Sequence, residues 1–258
     1  AGAIATEHVG KDAFQEVDTV GITRPCVKHN FMITDVKDMA STIRKAFYVA
    51  STGRPGPVVV DIPKDITEDT CEFSYPEEVS MRSYNPNIEI NEDSVDEAVK
   101  CILASKKPVI YAGGGVINSN ASDELTELAK YLNFPVTNTL MGLGCYPGDD
   151  PQFIQMLGMH GSYEANMAMH DCDLLIAVGA RFDDRITGRL DKFSPDATVI
   201  HIDIDPSSIS KNIKAHIPVV GDVKGAINKI SNKIIQNDLK PKNIDKWWDQ
   251  INEWRKKD

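Results

Sequence analysis

The chain has 258 residues, of which 41% are hydrophobic and 26% charged, and its formal net charge at pH 7 is −10. This composition is typical of a globular protein, and the negative charge argues against a nucleic-acid partner because phosphate neutralisation needs a basic face. Five scattered cysteines without a Cys-x-x-Cys pair argue against a zinc site or a disulfide framework, and no apolar run approaches the roughly 20 residues of a membrane span.

The first quarter of the chain carries the pattern of one helix followed by one strand. Apolar residues recur at helical spacing between Val36 and Ala50, Gly53 stands where a helix ends, and Val58 to Ile62 has the composition of a buried strand. One helix and one strand cannot enclose a core, so we expect residues 1 to about 65 to be the end of a domain that begins upstream. The weaker periodicity from Glu68 to about Asn91 predicts a linker over the surface.

Helices and strands alternate from Ser94 onward. The pattern predicts helices over residues 95–104, 122–132, 163–169 and 223–235, and strands over residues 109–112, 136–137, 174–178, 198–202 and 219–220. Ser122 is the predicted N-cap of its helix. Uninterrupted Val/Ile strands between helices indicate an α/β fold, with a parallel sheet covered by helices on both faces.

The tail from Asn237 to Asp258 carries aromatic residues at helical spacing. Trp247, Trp248 and Trp254 accompany Ile251. This pattern predicts a helix that docks its aromatic face onto a neighbouring domain rather than one that lines a ligand site.

Three of the predicted strands run into residues suited to a ligand, and ligands bind beyond the carboxyl ends of parallel strands. The first runs into Gly113–Gly115, which either lets a ligand approach the backbone closely or forms a simple tight turn. The second runs into Arg181, Asp183, Asp184 and Arg185. Arginine forks onto phosphate oxygens while carboxylates orient it or accept ribose hydroxyls, and a surface cluster of salt bridges is the alternative.

Acidic residues also follow the last two predicted strands. Asp203 stands where an acidic residue commonly binds an adenosine ribose, and Gly221-Asp222 repeats the pattern. Together these loops predict a site for a nucleotide-containing cofactor, without choosing between NAD, FAD and coenzyme A.

The six histidines show no spacing typical of a metal site. His201 lies inside a predicted strand and is interpreted as a core residue. His160 lies in a glycine-flanked loop just before a helix, where its ring can contact a planar ligand while the helix N-terminus faces a phosphate. No serine, cysteine or lysine stands in a recognisable nucleophile pattern.

Several of these segments resemble acetolactate synthase (acetohydroxyacid synthase) large subunits. The matching strings are Asp12–Glu16, Gly21–Pro25, Lys28-His29, Gly53–Asp65, Leu140–Gly144, Leu157–Gly161, Gly179–Arg185 and His201–Pro206. Their order and spacing run through nearly the whole chain. The Arg-Phe-Asp-Asp-Arg run and the Met-His-Gly loop separate this family from most other thiamine-diphosphate decarboxylases.

The resemblance implies a division of the chain into parts of a three-domain α/β enzyme. Residues 1–67 correspond to the C-terminal part of a pyrimidine-binding domain, 68–94 to a linker, 95–236 to a Rossmann-like central FAD-binding domain, and 237–258 to a linker helix towards a pyrophosphate-binding domain. The activating glutamate of the family is expected upstream of Ala1, and the Gly-Asp-Gly motif that holds magnesium downstream of Asp258. The resemblance therefore implies no catalytic residue and no metal site on this chain, and no activity of this chain alone.

The resemblance also implies the reaction, the cofactors and the partners of the full-length enzyme. That enzyme decarboxylates pyruvate and joins the two-carbon unit to pyruvate or 2-oxobutyrate in branched-chain amino-acid biosynthesis. It uses thiamine diphosphate and Mg²⁺, and it holds FAD without net redox change. A homodimer or tetramer with a small regulatory subunit is expected, cytoplasmic in a bacterium and in an organelle matrix in a eukaryote.

The family's contacts carry over position by position. The implied FAD-binding residues are Arg54, Gly113, Gly114, Gly115, Thr139, Leu140, Met141, His160, Gly161, Gly179, Ala180, Arg181, Asp183, Arg185, Asp203, Ile204, Gly221 and Asp222. The residues implied around the substrate channel are Phe14, Gln15, Lys64, Met159 and Asp184.

Two other functions stay open on the sequence. Another FAD-containing thiamine enzyme, of the pyruvate oxidase or glyoxylate carboligase type, would share the fold, although the two family-specific strings disfavour it. A stand-alone nucleotide- or FAD-binding module without chemistry is the second, and the incomplete first domain disfavours it.

Overall fold

The computed structural model describes residues 2–257, which form two compact units. The first unit ends at Asn87 and the second begins at Ile88. Each unit is an α/β assembly with a parallel sheet, so the predicted α/β class with parallel strands is confirmed.

The first unit is built on a small sheet. Its elements are β1 (Gly2–Ala3), α1 (Thr19–Thr23), β2 (His29–Met32), α2 (Met39–Ser51), β3 (Val58–Pro63) and α3 (Lys64–Glu68). The three strands are parallel in the order β1-β3-β2, and α2 packs against β2 and β3. Within the described part of this unit, the buried hydrophobic residues are Ile33, Ala46, Val49 and Ile66, so its core is small.

A lysine ties the end of α2 to the irregular segment that follows α3. The Lys28 ammonium group donates hydrogen bonds to the Val49 and Thr52 carbonyl oxygens and to the Tyr84 hydroxyl. A cation at a helix C-terminus satisfies carbonyl groups that lack a partner within the helix. This contact fixes the turn that begins at Gly53.

The second unit holds the larger sheet. Its elements are α4 (Glu92–Ala104), β4 (Pro108–Ala112), α5 (Gly114–Asn118), α6 (Ser122–Leu132), β5 (Val136–Asn138), β6 (Phe153–Met156), α7 (Tyr163–Asp171), β7 (Leu174–Val178), α8 (Asp184–Thr187), β8 (Thr198–Asp203), β9 (Ile217–Val220), α9 (Val223–Ile235) and α10 (Asp245–Arg255). The six strands are parallel in the order β6-β5-β4-β7-β8-β9. The chain thus builds one half of the sheet outward from β4 and then returns to build the other half from β7.

The apolar runs of the sequence become the centre of this sheet. Every residue of β4 and β7 is buried, so both faces of these strands are covered. Helices α4 and α6 each pack against α9, and α7 packs with α10. The predicted strands at 109–112, 174–178 and 198–202 and the helix at 223–235 are confirmed to within one residue at each end.

Some local predictions were wrong or incomplete. Ser122 is the first residue of α6, and the N-cap is Ala121, which has no capping side chain. Strands β2 and β6 were missed, because four residues each give too short a pattern to recognise.

The tail helix α10 packs within the second unit, which corrects the expectation that it docks onto a neighbouring domain. Trp247 and Ile251 are buried, and the Trp247 indole donates a hydrogen bond to the Pro108 carbonyl oxygen at 3.0 Å. Trp254 packs edge-on against Trp247, with ring centroids 5.6 Å apart. The aromatic spacing predicted the helix correctly, but only the fold shows that the start of β4 receives it.

Replacing Trp247 with phenylalanine is expected to lower the free energy of unfolding by about 1–2 kcal/mol, since the Pro108 oxygen loses its donor and apolar area is lost. Chemical denaturation of the full chain measures this loss. Trp248→Phe is the control, because Trp248 is only partly buried and its bond to the Asn133 oxygen is exposed. An equal loss for the two variants would contradict the placement of α10.

Candidate functional site

The two halves of the larger sheet meet between β4 and β7. The chain leaves β4 on one side and β7 on the other. In open parallel sheets, ligands bind at such a reversal of strand order, in a crevice at the carboxyl ends of the strands. The predicted glycine run follows β4, and the predicted arginine run follows β7. The strand order therefore brings together two segments that are far apart in the chain.

The glycines at this point allow two loops to pack backbone against backbone. The Gly113 and Gly115 amides donate hydrogen bonds to the Val178 and Gly179 carbonyl oxygens at 2.9 and 3.0 Å. A Cβ atom on Gly115 would lie 2.6 Å from the Gly179 Cα, and one on Gly113 would lie 2.3 Å from the Gly179 oxygen. Close approach of a neighbouring loop thus explains Gly113 and Gly115, where the sequence favoured a ligand or a tight turn equally.

The loop after β5 joins the same cluster. A Cβ atom on Gly142 would lie 2.5 Å from the Ala112 carbonyl oxygen, and one on Gly114 would lie 3.2 Å from the Met141 Cβ. The Thr139 amide donates to the Ala112 oxygen at 2.9 Å. Residues Thr139, Leu140 and Met141 are thereby held next to the glycine run.

The loop that carries His160 contacts the segment that carries the arginines. Gly158 lies against α8, where an added Cβ atom would be 2.7 Å from the Ile186 Cδ1 and 3.2 Å from the Arg185 carbonyl oxygen. His160 itself is exposed, and Gly161 packs against the Met156 carbonyl oxygen. His160 and Arg185 therefore belong to one cluster of loops, although they follow β6 and β7.

Residues 179–185, called the arginine loop below, have their first four carbonyl oxygens bonded to the protein. The Gly179, Ala180, Arg181 and Phe182 oxygens accept from the Gly115 amide, the His201 ring, the Asp183 amide and the Asn212 side chain, respectively. Within residues 2–257 the amide groups of Ala180, Arg181 and Phe182 donate to no protein acceptor. Successive free amides in a turn are a common cradle for an anion.

The charged side chains of the arginine loop are exposed and loosely paired. Arg181 lies 3.6 Å from Asp183, and Arg185 lies 4.0 Å from Asp184. A hydrogen bond with the Asp184 carboxyl group, followed by one from the Arg185 amide and by the two arginine charges, lowers the pKa of Asp183. Exposed pairs at these distances add little stability, so both arginines are available to an anion.

The two acidic residues after β8 and β9 differ in their surroundings. Asp203 is buried, and its Oδ1 accepts a hydrogen bond from the Asp205 amide at 2.8 Å. Asp222 is the N-cap of α9 and accepts from the Gly225 amide at 3.0 Å, while Gly221 packs against Ile90. Helix capping accounts for Asp222 by itself, whereas Asp203 is the last residue of β8, the strand next to β7.

Large apolar side chains are exposed around these loops. Leu140, Met141 and Met159 are 67%, 75% and 72% exposed. The buried Thr139 hydroxyl has no hydrogen-bond partner among the described residues. A planar apolar ligand with polar edges would match this rim, since exposed apolar clusters usually mark binding surfaces.

Four of the predicted site residues lie in the first unit. Arg54 follows Gly53 in the turn after α2, and Lys64 begins α3, where its ammonium group lies 3.6 Å from Glu68. Phe14 and Gln15 lie in a loop that Glu16 holds by accepting from the Gly10 and Ala13 amides. Phe14 is 91% exposed.

Sequence reasoning missed several residues that shape this region. Gly142, Gly158 and Asn212 hold the loops together, and His201 was interpreted only as a core residue. The contacts of Gly142 and Gly158 are with distant segments, so no local pattern signals them. Across residues 2–257, no group of His, Cys, Asp and Glu side chains is arranged to hold a metal ion, and no helix has the length and apolarity needed to cross a membrane.

Comparisons with known proteins agree with the family suggested by the motifs. The sequence profile described as "Thiamine pyrophosphate enzyme, central domain" matches residues 95–230. The chain is 49% identical to the acetolactate synthase large subunit of Haemophilus influenzae over 260 residues, which cover 100% of this chain and 45% of the relative. It is 48% identical to the acetolactate synthase isozyme 3 large subunit of Escherichia coli over 259 residues, with 99% and 45% covered.

A more distant relative shows the same pattern. The acetolactate synthase of Mycobacterium bovis is 45% identical over 257 residues, which cover 99% of this chain and 41% of the relative. The resemblance to acetolactate synthase large subunits is therefore confirmed along the whole chain. The chain spans less than half the length of these relatives.

Proposed function

The chain belongs to the thiamine pyrophosphate enzyme family, and from this premise we propose that its second unit is the FAD-binding domain of an acetolactate synthase large subunit. The arginine loop supports this proposal most directly: within residues 2–257 its amides at positions 180–182 donate to no protein acceptor, and the loop, which follows β7, also carries two exposed arginines. Amides and arginines of this kind bind phosphate oxygens. The strand order is also the one of Rossmann-type dinucleotide-binding folds.

The arrangement of the loops matches the parts of FAD. Arg181, Arg185 and the amides of the arginine loop would hold the diphosphate, and the buried Asp203 would accept a ribose hydroxyl. The exposed rim of Leu140, Met141 and Met159, with His160, would hold the flavin ring. The flavin undergoes no net redox change in the proposed reaction, so it serves as a structural group.

The loops of the proposed site are far enough apart for an extended ligand. The loops with His160 and Asp203 follow β6 and β8, which are separated by four strand spacings, or roughly 19 Å at ~4.8 Å each. The contact between Gly158 and α8 bridges part of this distance. A compact mononucleotide would leave one end of the cluster unused, and a dinucleotide would span it.

We also propose the role of the complete protein from its relatives. It would decarboxylate pyruvate and join the two-carbon unit to pyruvate or 2-oxobutyrate, with thiamine diphosphate and Mg²⁺ held by parts of the protein outside this chain. The first unit would be the end of the pyrimidine-binding domain, with Arg54 as an FAD contact. Phe14, Gln15, Lys64, Met159 and Asp184 would line the substrate channel, and the subunits would assemble as a dimer or tetramer with a regulatory subunit.

A titration of the full chain with FAD, NAD and coenzyme A tests the cofactor assignment. All three ligands carry adenosine and a diphosphate, so a general nucleotide site would accept each of them. We expect saturable binding of FAD alone, seen as quenching of flavin fluorescence. Binding of NAD or coenzyme A in place of FAD would contradict the proposal.

The same preparation tests whether this piece is inactive by itself. With pyruvate, thiamine diphosphate, Mg²⁺ and FAD added, we expect no acetolactate, because no catalytic residue is assigned to the chain. Measurable acetolactate formation would overturn that part of the proposal and leave the FAD assignment standing.

A further inference from the structure

The buried His201 connects β8 to the backbone of the arginine loop. Its ring is 0% exposed, and Nε2 lies 3.1 Å from the Ala180 carbonyl oxygen. A carbonyl oxygen can only accept, so the ring carries its proton on Nε2 and donates it. Nδ1 is then an unprotonated acceptor, and it has no partner in the part of the chain that the structure describes.

The surroundings of the ring favour this neutral form. Burial lowers the pKa of His201, and the opposing effects of the Asp203 charge and the Ala180 hydrogen bond are smaller. Asp203 Oδ2 lies 3.9 Å from Nε2, and the Phe182 ring packs edge-on at 5.2 Å. The His201 ring therefore projects from β8 of the larger sheet and is covered by residues of the arginine loop.

The planarity of the peptide unit gives this contact a consequence for the loop. The Ala180 carbonyl and the Arg181 amide belong to one trans peptide, so they point in opposite directions. A hydrogen bond that draws the Ala180 oxygen towards His201 thus turns the Arg181 amide away from the interior. The Gly179 and Arg181 oxygens, bonded to the Gly115 and Asp183 amides, act in the same way on the two neighbouring amides.

We propose that His201 is a positioning residue that holds the Arg181 amide ready for a phosphate oxygen. The inference rests on the proposed function, since it takes the ligand of the arginine loop to be the diphosphate of FAD. His201 bonds to the backbone of the arginine loop and would act on the ligand only through that backbone. It is the only side chain of β8 that a described hydrogen bond connects to the arginine loop.

Two replacements of His201 in the full chain test this role. His201→Phe keeps an aromatic ring but removes the donor, whereas His201→Gln keeps a side-chain N–H of similar reach. We expect His201→Phe to weaken FAD binding by about 10-fold, the effect of one lost hydrogen bond to a buried acceptor. We expect His201→Gln to bind FAD more tightly than His201→Phe.

Val199→Ala is the control that distinguishes a lost positioning of the Arg181 amide from a general loss of stability. Val199 is buried in β8 and its side chain is not part of the site, so its truncation destabilises the sheet without touching the loop. Compared at similar melting temperatures, Val199→Ala should retain the wild-type affinity for FAD. If the affinity for FAD fell with the melting temperature in the same way for Val199→Ala and for the His201 variants, the proposal would be overturned.

Hydrogen exchange of residues 179–187 gives a measurement that needs no flavin. Loss of the His201 bond should speed exchange of the hydrogen-bonded amides of this segment, such as those of Gly179, Asp183 and Ile186, and His201→Gln should slow it again. Unchanged exchange in His201→Phe would overturn the positioning role, whatever the FAD titration shows. If the wild type fails to bind FAD, the proposed function fails, and the exchange experiment still decides whether His201 holds the loop.

Discussion

Replacing Arg181 with alanine is expected to weaken FAD binding by about 10- to 100-fold, the range for a lost hydrogen bond between charged groups. The arginine side chain is 60% exposed, and its pairing with Asp183 at 3.6 Å contributes little stability. The melting temperature should therefore stay near that of the wild type. Fluorescence titration with FAD measures the affinity, and the salt dependence of binding should become weaker because one charge contact is lost.

Arg189→Ala is the matched control for this change. Arg189 is 75% exposed and lies 2.6 Å from Asp191, so its replacement removes the same charge from the same region. It stands outside the arginine loop and is not among the proposed FAD contacts. If Arg189→Ala lost as much affinity as Arg181→Ala, binding would depend on net charge and the phosphate contact would be refuted.

Replacing Gly179 with alanine is expected to destabilise the second unit by about 3 kcal/mol. A left-handed backbone costs an L-residue about 1–2 kcal/mol, and an atom forced into a packed region costs about 1–3 kcal/mol. Gly179 combines both, because its φ is +56° and an added Cβ would lie 2.6 Å from the Gly115 Cα. For a domain of this size the melting temperature should fall by about 6–12 °C.

Gly188→Ala distinguishes the cost of the backbone conformation from the cost of the packing clash. Gly188 has nearly the same φ, +54°, but an added Cβ would meet no atom within 4 Å. Its replacement should therefore show the conformational cost alone, about 1–3 kcal/mol for its sparsely populated φ of +54° and ψ of −118°. Equal losses at the two positions would mean that the packing of the glycine run against the arginine loop is unimportant.

The amino-acid sequence determined most helices and strands of the second unit and the edge at which its proposed site lies. Continuous apolar runs such as Leu174–Val178 predict buried parallel strands, because only a strand covered on both faces lacks alternation. Parallel strands share one carboxyl edge, so the arginine run and Asp203 could be assigned to the same edge without knowing the strand order. The family strings then indicated which cofactor to expect there.

Only the tertiary structure decided which loops contact each other and which polar groups form hydrogen bonds between them. The pairing of Gly115 with Gly179, the place of α10 at the start of β4, and the bond from His201 to Ala180 join segments that are distant in the chain. Helix and strand periodicity reports which face of an element is buried, but it carries no information about the partner on that face. Strand order and side-chain packing supply that partner, and they exist only in the folded chain.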